Sequence, residues 1–201
     1  MFPTHRPIKQ PKQVFITLYI QLHPLELNPP IWRRVLVGGH LTLHKLHHVI
    51  QAAMGWESRH LYEFVIAEQR YGLPDPLFDE DRLLDARRQK LAKLVKAGDR
   101  LRYLYDFGDG WEHVIAVENI QAVPHDDYAD NARVLDGERA CPPEDMGGAI
   151  GYEDFLERLA GPAGEDRDDA LRWVGGRFDR DAFDVRQSNA AVQRLVSNEW
   201  I

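Results

Sequence analysis

Alternating apolar and polar positions predict the first two strands of the chain. Residues 14–22, VFITLYIQL, place an apolar side chain at every second position from Val14 to Leu22, which is typical of a half-buried strand. The following HPLELNPP predicts a turn, because consecutive prolines cannot donate hydrogen bonds to a sheet. Residues 31–37, IWRRVLV, predict a second strand, which ends at two glycines. The same reasoning predicts strands at residues 61–66 and in the two arms of a hairpin, RLRYLYDF and WEHVIAVENI.

Helical periodicity begins after the second strand. Thr42 is a suitable N-cap, an apolar stripe runs from Leu43 to Met54, and Gly55 is a natural stop. A second helical segment is predicted at residues 83–95. Three short helices are predicted near residues 152–160, 166–174 and 188–197.

The order of these elements predicts the fold class. Strands precede a helical tail, which favours an α+β fold over a doubly wound parallel sheet. We expect a mixed, mainly antiparallel sheet in the order β-β-α-β-β-β, β-grasp-like, with helices packed on one face and a helical C-terminal region. Residues 1–13 are expected to form a disordered N-terminal arm and residues 14–201 a single domain.

Composition and charge exclude several classes of protein. The 201 residues are 44% hydrophobic, enough for a core, but no apolar run approaches the ~20 residues that span a bilayer. The N-terminal residues lack an apolar secretory signal and Cys141 is the lone cysteine, so we expect a cytoplasmic protein without a membrane partner. A net charge of −7 with scattered basic residues argues against direct nonspecific nucleic-acid binding.

The hairpin YDFGDGWEHVIAVE, residues 105–118, concentrates polar groups that do chemistry in enzymes. Its DG dipeptide, or GD one residue earlier, predicts a two-residue turn. Either turn puts Asp106 on the same face as Trp111 and His113, and the first puts Asp106 opposite His113. Asp106, His113 and Asp109 are therefore candidate catalytic residues, with the carboxylate orienting the imidazole. The alternative is a structural pair at a hairpin end, with Trp111 in the core or its rim instead of serving as a ligand platform.

Four further histidines raise the question of a metal. His44 and His48 are four residues apart on one helical face, but they lie opposite the apolar stripe, so we expect them to face water and not to bind an ion. His47 lies at the edge of the stripe and needs a partner, and His60 precedes the third strand. His47, His60, His113 and Asp106 are thus candidate ligands of a divalent metal. The alternative is two histidines satisfied at the edge of the core.

Two other segments carry candidate binding residues. The loop ACPPEDMGGAIGY, residues 140–152, supplies Glu144 and Asp145, either to a polar site or only to a rigid turn. Arg33 and Arg34 alternate in their strand, so one of them must face the buried side and needs a carboxylate there. We expect that partner to be Asp106 or Glu144.

Several blocks together resemble the plasmid pRiA4b ORF-3-like protein family over about residues 14–196: PPIWRRVLV, LHHVIQAAMGWESRHLYEF, LRYLYDFGDGWEHVIAVE, ACPPEDMGGAIGYEDFL and WVGGRFDRDAFD. The resemblance implies a bacterial or archaeal protein linked to plasmids and mobile elements. It implies no established catalytic assignment. The family's characteristic residues fall on Arg33 or Arg34, His47, Trp56, His60, Asp106, Asp109, Trp111, His113, Glu144 and Asp145. Of these, the candidate binding residues are Arg33, Arg34, Trp56, Trp111, Glu144 and Asp145.

Two functions agree with these observations. The first is an interaction module that acts through an unknown protein partner, such as one associated with DNA, without any evident cofactor. The alternative is a metal-dependent hydrolase of phosphodiesters or similar substrates. The alternative requires side chains to meet within ~5 Å around one ion: Asp106, His113, His47 or His60, and Glu144 or Asp145.

Overall fold

The computed structural model describes residues 12–23, 25–75, 83–124 and 131–197. The strands in these ranges are β1 (Lys12–His23), β2 (Trp32–Gly38), β3 (Tyr62–Ile66), β4 (Gln69–Gly72), β5 (Leu84–Asp85), β6 (Arg100–Tyr105), β7 (Trp111–Pro124) and β8 (Ala132–Glu138). The helices are α1 (Leu43–Met54), α2 (Gly148–Ala160), α3 (Glu165–Trp173) and α4 (Val185–Ser197).

The eight strands form one sheet in the order β5-β4-β3-β6-β7-β1-β2-β8. The β4–β5 pair is parallel and the other neighbouring pairs are antiparallel. The long strands β1 and β7 pair at the centre and join the hairpin β1–β2 to the hairpin β6–β7. The predicted α+β class, with a mixed, mainly antiparallel sheet, is confirmed.

Helix α1 forms where its sequence predicts it. The Thr42 hydroxyl accepts a hydrogen bond from the Lys45 backbone N–H at 3.2 Å, and Gly55 ends the helix with φ of 97°. The apolar stripe is buried, and Gln51 on the same face donates to the Tyr103 hydroxyl of β6 at 2.9 Å. Helix α1 therefore packs across the sheet, and α4 packs against both α1 and β8.

The helix predicted at residues 83–95 does not form. The segment forms the two-residue strand β5, a turn and one 3-10 turn, Leu91–Lys93. Its backbone bonds to the loop before α1 instead of to itself: the Leu91 N–H donates to the Leu41 carbonyl at 2.9 Å, and Leu91 is fully buried. Tertiary hydrogen bonds and burial thus outweigh the helical spacing.

The ends of the chain differ in part from the prediction. Residues 1–11 of the expected N-terminal arm lie outside the described residues, whereas residues 12 and 13 already belong to β1. The three C-terminal helices lie close to their predicted positions, α2 beginning four residues early at Gly148. Among the described residues, no helix has the length and apolar character to cross a membrane.

Candidate functional site

The β6–β7 hairpin has a five-residue loop, residues 106–110, and not the predicted two-residue turn. Tyr105 pairs with Trp111 and Tyr103 with His113, so the expected placement of Asp106 opposite His113 is wrong. Asp106 has φ of 54°, and its carboxylate accepts the Gly108 N–H at 2.9 Å. An aspartate that bonds the backbone two residues on makes its own turn, which lengthens the loop and places Asp106 in the loop and not in the strand pairing.

His113 lies beneath the hairpin and not in a reactive site. The side chain is fully buried, and Nδ1 lies 3.1 Å from the Trp111 carbonyl and 3.3 Å from the Tyr103 carbonyl. Burial lowers the pKa of His113 to about 3. An enclosed imidazole cannot reach a substrate or a solvent-borne ion, so the structure does not support His113 as a catalytic or metal-binding residue.

The two candidate tryptophans are core residues. Trp111 is 1% exposed and Trp56 is 6% exposed. Trp56 stacks at 5.1 Å on Tyr105, and its indole N–H donates to the Pro142 carbonyl at 2.8 Å. Trp56 thus holds the 140–147 loop against the sheet and also lines the cleft beside α1, whereas Trp111 lies in the core.

The histidines of α1 have structural partners. His47 is 2% exposed, its Nδ1 lies 2.8 Å from the Tyr103 hydroxyl, and burial lowers its pKa to about 2. The partner that the sequence called for is thus a tyrosine, and His47 takes no part in a cluster with Asp106. His44 and His48 are half-buried instead of facing water, because Tyr62 and Ser58 cover them.

One group of chemically capable side chains does converge. His60, Asp106 and Asp145 each offer one ligand atom, and these three atoms all lie within 4.8 Å of one another. His60 Nε2 is 2.9 Å from Asp145 Oδ1 and 3.5 Å from Asp106 Oδ2. The nitrogen is buried, yet its angles satisfy no hydrogen bond. A buried nitrogen that faces two carboxylates without a hydrogen bond is a suitable metal ligand.

Glu144 supplies a fourth polar group beside this cluster. Its carboxylate accepts the Glu57 N–H at 2.8 Å and the Tyr105 hydroxyl at 3.1 Å, and Glu144 Oε2 lies 4.0 Å from His60 Nε2. Burial and the Glu144 charge raise the pKa of Tyr105 well above its usual range, so the tyrosine remains a donor. Glu144 is therefore held in one orientation at the edge of the cluster.

Backbone constraints bring the two aspartates together. Asp145, like Asp106, has a left-handed backbone, with φ of 57°. Asp109 ties their loops to each other, since its carboxylate accepts the Gly147 N–H at 3.1 Å. A Cβ on Gly148 would overlap the Asp109 carbonyl, so the close approach requires glycine there. Asp109 thus joins the two loops, and its proposed catalytic part has no support from the geometry.

The arginine pair lies away from the cluster. Arg33 is 3% exposed, and its guanidinium donates to backbone carbonyls, among them Ala53 at 2.9 Å and Arg139 at 2.8 Å. Arg34 pairs with Glu118 at 2.8 Å on the other face. The prediction that one arginine is buried is confirmed by Arg33. The prediction that Asp106 or Glu144 pairs with it is wrong, because backbone carbonyls accept the hydrogen bonds of its guanidinium.

A cleft of about 920 Å³ lies next to the cluster, between the C-terminal end of α1 and α4. Glu57 and Ser58 line it, together with His48, Gln51 and Arg194. None of the four cluster side chains lines this cleft, and the segment before His60 separates the two. The cluster and this cleft are thus neighbours and not one site.

Comparison with known proteins extends these observations. The family model for plasmid pRiA4b ORF-3-like proteins matches residues 15–187. An uncharacterised protein, y4hQ of Sinorhizobium fredii, is 42% identical over 178 residues, which cover 87% of this chain and 89% of that protein. A crystal structure of a protein of unknown function, MM3350 of Methanosarcina mazei, has a TM-score of 0.77 and 31% identity, covering 87% of this chain and 97% of that one.

Proposed function

We propose a metal-dependent hydrolase as the function of this chain, which belongs to the plasmid pRiA4b ORF-3-like protein family. The observation that carries the proposal is the convergence of His60, Asp106 and Asp145, whose ligand atoms lie within 4.8 Å of one another. One imidazole nitrogen and two carboxylates form a donor set suited to Mn²⁺, Fe²⁺ or Zn²⁺.

The exposure of the cluster favours a catalytic ion over a structural one. Structural sites are closed by four protein ligands, whereas catalytic sites keep a position open for water. The Asp145 side chain is 57% exposed and that of His60 is 31% exposed. An ion bound here would therefore keep solvent on one side and would lower the pKa of the water that it binds.

Glu144 is the residue that we assign to proton transfer. It sits beside the three ligands, and two donors, the Glu57 N–H and the Tyr105 hydroxyl, hold it in place. A carboxylate within reach of a metal-bound water accepts the proton as that water attacks, and returns it to the leaving group. Its oriented position supports this role better than that of a fourth ligand.

Phosphodiesters are the substrate class that we propose for this site. Arg59 adjoins His60 in the chain, and its exposed guanidinium pairs with Glu57 while lying in the field of Glu144 and Asp145. An anionic phosphoryl oxygen would find the ion and this arginine on the same side. Both neutralise charge that grows on the phosphoryl oxygens during displacement.

The first test is metal content. Protein purified without a histidine tag, then dialysed against Mn²⁺ or Zn²⁺, should retain one equivalent of metal by plasma mass spectrometry. Asp106→Asn and Asp145→Asn should each lower retention, whereas Asp136→Asn, a change at an exposed carboxylate of β8, should not. Equal retention by all three variants would refute the site.

The second test is turnover. The metal-loaded protein should hydrolyse bis(p-nitrophenyl) phosphate faster than p-nitrophenyl acetate, and Glu144→Gln should lose the activity while it keeps the metal. Activity that survives in Glu144→Gln would remove this residue from the mechanism. Metal retention without turnover of either ester would refute hydrolysis.

The second candidate function is an interaction module that acts through a protein partner. Two exposed apolar side chains directly follow cluster residues in the chain, Leu61 at 59% and Phe107 at 54% exposed, and Ile150, 83% exposed, lies at the start of α2. Exposed apolar residues grouped on one region are typical of binding surfaces. Metal-independent capture of a partner that Phe107→Ser abolishes would favour this function over hydrolysis.

A further inference from the structure

We propose a second metal site, separate from the carboxylate cluster, formed by His44 and His48 on α1 and selective for Zn²⁺, Cu²⁺ or Ni²⁺. The two residues are one helical turn apart, and their Nε2 atoms lie 3.4 Å from each other. Two nitrogens bound at ~2.0–2.1 Å to one tetrahedral ion lie ~3.3–3.4 Å apart. The pair thus already has the separation that a shared ion requires.

The remaining ring nitrogens have the partners that ligating histidines use. His44 Nδ1 lies 2.7 Å from the Tyr62 hydroxyl, and His48 Nδ1 lies 3.4 Å from Ser58 Oγ. A metal-bound histidine almost always binds an oxygen through its other nitrogen, which fixes the tautomer and the orientation of the ring. Both Nε2 atoms are thereby directed toward each other instead of toward these oxygens.

The protonation states favour an ion. Burial lowers the pKa of His44 below its ordinary value and that of His48 to about 4, so both rings are neutral at pH 7. Neutral imidazole is the form that binds metal. Lys45 and Arg87 place positive charge nearby, and Asp85 offsets part of it.

Without an ion, the 3.4 Å contact is a hydrogen bond between the rings, in which one Nε2–H donates to the other nitrogen. Binding requires the ring that carries this proton to move it to Nδ1. If that ring is His44, Nδ1–H then donates to Tyr62, whose own hydroxyl proton turns away. The shift is a change of tautomer and releases no net proton, so it does not oppose binding near pH 7.

The two metal sites differ in the ion that they prefer. Two imidazoles without a carboxylate select borderline ions such as Zn²⁺, Cu²⁺ and Ni²⁺, whereas a set rich in carboxylates also takes Mn²⁺. Mn²⁺ should therefore load the cluster of His60, Asp106 and Asp145 and leave the histidine pair empty. This difference separates failure of one proposal from failure of the other.

The test is a titration of tag-free protein with Zn²⁺ and with Mn²⁺ by isothermal calorimetry, in wild type and variants. In the Asp145→Asn background, His44→Gln and His48→Gln should each weaken Zn²⁺ binding by more than about tenfold, because even outer-shell partners contribute that much. Tyr62→Phe should weaken it by about 10–100-fold. His40→Gln, at an exposed histidine just before the same helix, is the matched control and should bind as the background does.

A measurement on the unmutated pair guards against variants that misfold. In nitrogen-15 spectra of the imidazoles, Zn²⁺ should shift both Nε2 resonances and leave both rings protonated at Nδ1. Zn²⁺ that leaves these resonances unchanged, or that binds His44→Gln and His48→Gln as tightly as His40→Gln, would overturn the proposal.

Discussion

His113 should contribute to the acid sensitivity of the protein, together with His47 and His48, and replacing it with phenylalanine should remove its share. The imidazole is fully buried, and its pKa in the folded state is lowered from 6.5 to about 3 by burial. Below pH 6.5 this imidazole becomes protonated in the unfolded chain, whereas in the folded chain it stays neutral until the pH approaches 3. The contribution of this group to stability is therefore fully present above pH 6.5 and is lost as the pH falls from 6.5 toward 3.

The magnitude follows from linkage. At pH 5.0 the unfolded state gains about 2 kcal/mol from protonating one such histidine, since each pH unit below 6.5 contributes about 1.4 kcal/mol. At pH 7.5, His113→Phe should cost about 1–2 kcal/mol, because the carbonyls of Trp111 and Tyr103 lose a donor. At pH 5.0 that deficit should shrink by about 2 kcal/mol. The variant should then be as stable as wild type or more so.

Urea unfolding followed by tryptophan fluorescence, at intervals from pH 5 to 8, measures this difference. The matched control is Phe64→Leu, which also alters a fully buried side chain but removes no titrating group. The loss in free energy of unfolding caused by Phe64→Leu should be the same at pH 5 and at pH 8. A His113→Phe penalty that is equally independent of pH would show that the imidazole takes up its proton without unfolding, and would refute the reasoning.

Three further outcomes are expected. Gly148→Ala should lower the melting temperature by several degrees and reduce metal retention, because the new Cβ would meet the Asp109 carbonyl. Gly175→Ala, with a similar φ of 81° and open space around it, should keep the metal. Equal retention by both variants would show that the loop contact is dispensable. Arg33→Met should lower the free energy of unfolding in urea by about 3–5 kcal/mol, because buried carbonyls lose their donor. Arg34→Met, at a half-exposed position, should lower it by under about 1 kcal/mol. Similar losses in the two variants would contradict this account. The isolated chain, with net charge −7, should show no salt-sensitive binding to a labelled duplex by fluorescence anisotropy near physiological salt, and micromolar binding would contradict this.

The elements with strong local signals could be predicted from the sequence. Strand β1 alternates, and α1 has a cap, a stripe and a stop, so each forms close to its predicted bounds. The segment at residues 83–95 has helical spacing but is joined to the loop before α1 by backbone hydrogen bonds from distant residues. No local pattern encodes those bonds, and for that reason the prediction failed there.

The membership of the candidate site was harder to predict than its residue types. The sequence identifies His60, Asp106, Glu144 and Asp145, but it groups them with His47 and His113, which are enclosed beneath the sheet surface with other partners. The error lies in the hairpin. A loop of five residues instead of two shifts the pairing of β6 with β7 by an odd number of residues, so Tyr103 and Tyr105, and not Asp106, share a face with Trp111 and His113. The Asp106 carboxylate, which bonds the loop backbone, is the signal that favours the longer loop, because aspartate tolerates a left-handed backbone.

The polar residues around the β6–β7 hairpin and the 140–147 loop form two layers with different roles. The inner layer, His47, Tyr103 and His113, is buried and neutral, and its members bond to one another and to backbone carbonyls. The outer layer, His60, Asp106, Glu144 and Asp145, carries one imidazole and three carboxyl groups and is partly open to solvent. Tyr105 connects them, because its ring is fully buried while its hydroxyl donates to Glu144.

This division explains why so many polar residues occur in so short a stretch without forming one reactive centre. A carboxylate cluster on flexible loops would lose its geometry through conformational freedom, whereas side chains fixed by a packed layer beneath keep theirs. Here the packed layer is itself built from histidine and tyrosine, whose hydrogen bonds specify one arrangement of the rings. A substitution in the inner layer should therefore affect stability first, and one in the outer layer should affect metal binding first. Measuring both quantities for each variant assigns a residue to its layer, and with it to architecture or to chemistry.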